Sequence, residues 1–76
     1  MGQIRNKRLL SKMALVVKEL RADTGLSQIE VYGNTNIHIG RIESAKANAT
    51  VSTISALCEY FQISQSEFYK RVEAVK

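Results

Sequence analysis

The chain has 76 residues, 45% apolar and 24% charged, a balance that suits one small folded domain and excludes a disordered chain. Its single cysteine excludes an internal disulfide, and no apolar run approaches the length of a membrane span. The net charge of +4 is unevenly placed: residues 1–21 carry Arg5, Lys7, Arg8, Lys12, Lys18 and Arg21 against Glu19 alone, which suits a polyanion or, more simply, a solvated basic face.

Leu9, Leu10, Met13, Val16, Val17 and Leu20 recur at three- and four-residue steps, one apolar stripe on a helix from about Asn6 to Thr24. Asn6 or Ser11 can cap its start, and Gly25 can take the left-handed conformation that ends it. Upstream, Arg5, Lys7 and Arg8 form either a basic arm that reaches a polyanion backbone or a solvated tail. These first residues are too polar for a signal peptide, so a cytoplasmic protein is expected.

Ser27 and Glu30 have the spacing of a capping box, each side chain accepting the other's free backbone N–H. Leu26 and Val31 form its hydrophobic staple, so a second helix starts at Ser27. Gly33-Asn34 reads as a turn, after which Thr35 can cap a third helix running to about Ser44. On that helix Ile39 and Ile42 face inward, while Asn36, His38 and Arg41 are free to touch base edges and phosphates.

Ala45 to Ala49 is a small polar connection, and Thr50 caps a fourth helix whose stripe is Val51, Ile54, Leu57, Cys58 and Phe61. Within that stripe Cys58 reads as a buried, inert thiol. Ser64 and Glu67 repeat the capping-box spacing, with Ile63 and Phe68 as the staple of a fifth helix that carries Phe68, Tyr69, Val72 and Val75. The expected architecture is a compact all-α domain of five helices, a single unit over residues 1–76 with residues 1–5 as an arm.

Three segments carry a resemblance. L-R-A-D-T-G-L-S-Q (Leu20 to Gln28), R-I-E (Arg41 to Glu43) and T-V-S-T-I-S-A-L-C-E-Y-F-Q-I-S (Thr50 to Ser64) resemble, in consistent order over about two thirds of the chain, the Xre/Cro-type helix-turn-helix repressors of phages and bacteria. The string I-H-I-G-R-I-E is similar to one in Xre-type regulators of Bacteroidetes-like bacteria. The resemblance implies a phage-repressor-like domain with the third helix as recognition helix. Gln28 matches the family glutamine that bonds a DNA phosphate and buttresses that helix. Arg21 and Glu43 match an arginine and glutamate that pair across the motif. Asn36, Ile37, His38 and Arg41 fall where the family makes most of its major-groove contacts, with Thr35 at the helix start, and Lys46 falls in the loop that touches the backbone.

The chain departs from the family in one respect. From Ser27-Gln28 to Glu43 it is three residues shorter than the common spacing, and Tyr32 stands where a small alanine is usual. Either the second helix has lost a turn, with Tyr32 filling the gap and Thr35 still a cap, or the turn and the start of the third helix are shortened. In the second case Asn36 is a turn residue and Ile37 a core residue. The first alternative is preferred.

Arg41 can donate two hydrogen bonds to guanine O6 and N7, or else meet a phosphate or a surface carboxylate. His38 is either a DNA contact or a partly buried histidine. Asn36 could bond adenine or sit in a turn, and Ile37 could touch a thymine methyl or the core. A lone histidine without a second ligand makes no metal site. No cofactor or small-molecule ligand is indicated, and no nucleophile with a base, paired carboxylates or glycine-rich phosphate loop suggests an enzyme.

Tyr60, Phe68, Tyr69 and Val72 can form the seam of a homodimer, or can close the monomer's own core. A two-fold dimer would set two recognition helices on the order of 34 Å apart on a palindromic operator. The expected function is therefore sequence-specific binding of double-stranded DNA by a small transcriptional regulator, a repressor or autoregulator. The alternative is an antitoxin-like module that binds a partner protein, for which the chain lacks a long tail beyond its fifth helix.

Overall fold

The computed structural model describes residues 6–76, so Arg5 of the expected arm lies outside the described residues. Five helices follow one another: α1 (Lys7–Thr24), α2 (Gln28–Thr35), α3 (Ile39–Glu43), α4 (Val51–Tyr60) and α5 (Gln65–Ala74), with no strand among the described residues. The all-α class and the five-helix order agree with the sequence reading.

Local chemistry sets most of the boundaries. Asn6, rather than Ser11, caps α1, its Oδ1 accepting from the Leu9 N–H at 3.0 Å. Lys7 and Arg8 are therefore in the first helical turn and belong to no arm. Gly25 ends α1 at φ +74°, a conformation that costs a residue with a Cβ. At α2 both halves of the capping box form: the Glu30 N–H donates to Ser27 Oγ at 3.1 Å and the Ser27 N–H to Glu30 Oε1 at 3.0 Å. Ser64 caps α5 by accepting from the Glu67 N–H, but Glu67 does not return the bond. Its carboxylate instead accepts from Arg71 Nε one turn on, at 3.1 Å.

α1 is the central element, packed against α3 and α5, while α2 leans on α3 and α4 on α5. Met13, Val16, Val17 and Leu20 of α1 meet Val31, Ile39, Ile42, Ile54, Leu57, Cys58, Phe68 and Val72 in one core. Leu9, placed on the stripe by periodicity, is 42% exposed and lies outside it. Burial pushes the Cys58 thiol pKa up, which keeps it in the unreactive protonated form.

The four residues open between a dimer seam and the monomer's own core part company here. Phe68 and Val72 are 1% and 2% exposed, so the chain's own core uses them and they offer no surface to a second copy. Tyr60 is half-buried and accepts a hydrogen bond from Asn34 Nδ2 at 2.8 Å, and Tyr69 alone of the four is exposed.

Candidate functional site

The site is built on α3, and α3 is short because the chain before it is not a simple turn. Gly33-Asn34, read as a turn, lies inside α2. The helix ends instead at Asn36, which takes φ +60° and bonds its N–H to the Tyr32 carbonyl at 2.7 Å. Asparagine tolerates this left-handed conformation better than most residues with a Cβ. Thr35 does not cap α3. Its hydroxyl donates to the Val31 carbonyl at 2.7 Å and accepts from the Ile37 N–H at 3.1 Å, closing the end of α2.

His38 then sits at φ −76°, ψ 73°, with the Ile39 N–H on the Ile37 carbonyl at 2.9 Å, the geometry of an inverse γ-turn. No side chain caps α3. The preferred account of the short spacing is thereby overturned. α2 runs eight residues, Gln28–Thr35, while α3 has only five, Ile39–Glu43. Asn36 is a turn residue, and Ile37 is half-buried against the core.

The far end of α3 is held by side chains. Arg21 Nε donates to Glu43 Oε2 at 2.6 Å and Nη2 to Oε1 at 2.9 Å, while Nη1 donates to the Leu26 carbonyl at 3.0 Å. Gln28 Nε2 adds a bond to Glu43 Oε1 at 3.1 Å. The Glu43 side chain is only 3% exposed. Burial alone would raise its pKa, but hydrogen bonds from Arg21 and Gln28 and the charges of Arg21 and Lys18 outweigh that and hold the carboxyl below its ordinary value. The bond to Glu43 in turn raises the pKa of Arg21. Gly40 completes the clamp, since a Cβ there would stand 2.8 Å from Gln28 Oε1.

α3 ends in a Schellman arrangement. The Ala45 N–H reaches the Ile42 carbonyl at 3.0 Å and the Lys46 N–H the Arg41 carbonyl at 3.1 Å, with Ala45 at φ +60°. Arg41 and Lys46 thus occupy the two positions that such an ending sets side by side, and both are exposed. Neither has an ion-pair partner among the described residues.

Two open grooves flank α3. The larger, about 690 Å³, is lined by Asn36, Ile37, His38, Arg41 and Lys46, and beyond them by Asn48, Thr50 and Thr53. The smaller, about 390 Å³, lies between α2 and α3 and is lined by Gln28, Ile29, Tyr32, Gly40 and, again, His38 and Arg41. His38 and Arg41 form the ridge between them. No carboxylate lines either groove.

The structure therefore brings Asn36, Ile37, His38, Arg41 and Lys46 together, joins Gln28 to them through the second groove, and sets Thr35 to structural work. Sequence reasoning missed Ile29 and the stacking of Tyr32 on His38, whose ring centroids are 4.5 Å apart. The available signal was an isoleucine on α2 out of phase with Val31, the residue that enters the core.

Among the described residues no three His, Cys, Asp or Glu side chains gather as a metal ion would require, and no helix is long and apolar enough to cross a membrane. No protein-family model, no curated protein and no solved structure matches this chain.

Proposed function

We propose that the chain binds double-stranded DNA in a sequence-specific way through the α3 face, as a small cytoplasmic transcriptional regulator of the repressor or autoregulator kind. The observation that carries this is the carboxylate-free face on which unpaired Arg41 and Lys46 stand beside each other. A single-sign surface of this kind attracts a polyanion and releases its counterions. Arg41, with its planar fork, takes a guanine edge, and Lys46 takes a phosphate. Gln28 has one amide hydrogen beyond its bond to Glu43 and can give it to a second phosphate.

The clamp matters to this function because it fixes Arg41 before binding. A side chain presented on a helix that must first be ordered loses affinity to that ordering. α3 has only five residues, so base contacts concentrate on the His38–Arg41 ridge, with Asn36 at its margin. A two-fold dimer, with Tyr69 as its remaining exposed seam residue, would read a palindrome.

Selection of duplexes from a random-sequence pool, followed by titration across salt concentrations, tests the proposal. The expected result is one enriched motif bound with an affinity that falls steeply with salt, by a slope of about 0.9 per phosphate contacted. No enriched motif, together with salt-independent binding, removes the proposal. Half-sites about 34 Å apart would support the dimer, and a single unrepeated motif would remove that part alone.

A further inference from the structure

Ile29 is 83% exposed, more than any other large apolar side chain among the described residues. A single exposed isoleucine is ordinary on a protein surface. The setting of this one is less so. Tyr32, one turn along α2, is 41% exposed, its ring lies against His38, and all three line the smaller groove with Arg41. Val51, also well exposed at 73%, lines neither groove.

We infer that Ile29, with Tyr32 and His38 behind it, forms an apolar ledge that receives the 5-methyl group of a thymine neighbouring the base that Arg41 contacts. Ile29 is then a specificity-determining residue. This deepens the DNA-binding proposal and rests on it. The thymine methyl is the one apolar feature that base edges present in the major groove, and an apolar wall beside a cation matches a methyl beside a guanine edge. A phosphate needs donors, which Ile29 does not supply. Ile37, open between a thymine methyl and the core on sequence alone, packs against the core, so the apolar contact falls to α2.

Burial of one methyl group corresponds to about a fourfold change in affinity. The test uses the duplex that the protein itself selects from a random pool, with each thymine replaced in turn by deoxyuridine, which lacks only the methyl. Wild type should lose about fourfold at a thymine next to the guanine whose contribution depends on Arg41. Ile29→Ala should bind thymine and deoxyuridine duplexes equally, and Ile29→Val should keep part of the difference. The exposure of Ile29 means that neither variant should alter the helical circular dichroism. The assignment is overturned if wild type binds both duplexes equally at every position, if Ile29→Ala keeps the full methyl sensitivity, or if no thymine adjoins that guanine. In each of these cases DNA binding itself stands. Failure to select any duplex removes the DNA-binding proposal and this inference with it.

Discussion

The two ends of α3 are held by different physics. At its C-terminal end Arg21, Gln28 and Glu43 meet through side chains that are 15 and 22 residues apart in the chain. At its N-terminal end Thr35 to His38 are held by backbone geometry: a left-handed Asn36, a hydroxyl closing α2, and an inverse γ-turn at His38. The first end is fixed by charge and can be undone by one substitution. The second depends on conformations that a few residue types adopt at low cost, and it should respond weakly and locally.

Arg21→Ala should have the largest effect on stability. It leaves the nearly buried Glu43 carboxylate with Gln28 and the more distant Lys18, and an uncompensated charge of this kind costs roughly 3 kcal/mol in denaturant titration. The pH dependence should change with it. Because the folded state holds Glu43 below its ordinary pKa, the unfolded chain binds more protons in the acid range, so stability is present above the ordinary carboxylate pKa and is lost as pH falls through the lowered one. Glu43→Gln should flatten that acid limb. A limb unchanged in Glu43→Gln would show that the clamp contributes no proton linkage.

Asn36→Ala comes next. An alanine at φ +60° should cost about 1 kcal/mol while leaving the acid limb untouched. If it shifted the acid limb instead, the two ends of α3 would not be independent. The smallest effect should be a gain. Gly33 lies within α2, and a Cβ there would meet nothing within 4 Å, so Gly33→Ala should add roughly 0.5–1 kcal/mol in the same assay. Gly40→Ala should gain less, because its Cβ displaces the Gln28 amide. A loss on Gly33→Ala would place a turn at Gly33-Asn34 after all.

That last contrast marks the limit of what was legible. Capping at Ser27, Thr50 and Ser64 was readable because it depends on residues three apart with complementary donors and acceptors. The Arg21–Glu43 pair was readable only through family resemblance, since nothing local joins residues that far apart. The end of α2 was misplaced because Gly-Asn is a local tendency. The left-handed residue was instead supplied two positions later by Asn36, with buried Val31 and the Asn34–Tyr60 bond supporting the extra turn. Phe68 and Val72 show the same limit in packing. Periodicity told which face of α5 is apolar, but not whether this chain or a second copy covers it. Of the site, Arg41 and His38 were found by residue type, whereas Ile29 needed the groove between α2 and α3 to give it neighbours.

The central claim is that the clamp at the C-terminal end of α3 presents Arg41 to a base edge. Arg41→Ala, titrated against the selected duplex and against versions carrying each single base change, tests it most directly. Thermal stability should be unchanged, with discrimination of about 1–3 kcal/mol lost at one guanine and the other positions still read. A variant that kept both its affinity and its preference at every position would contradict the claim.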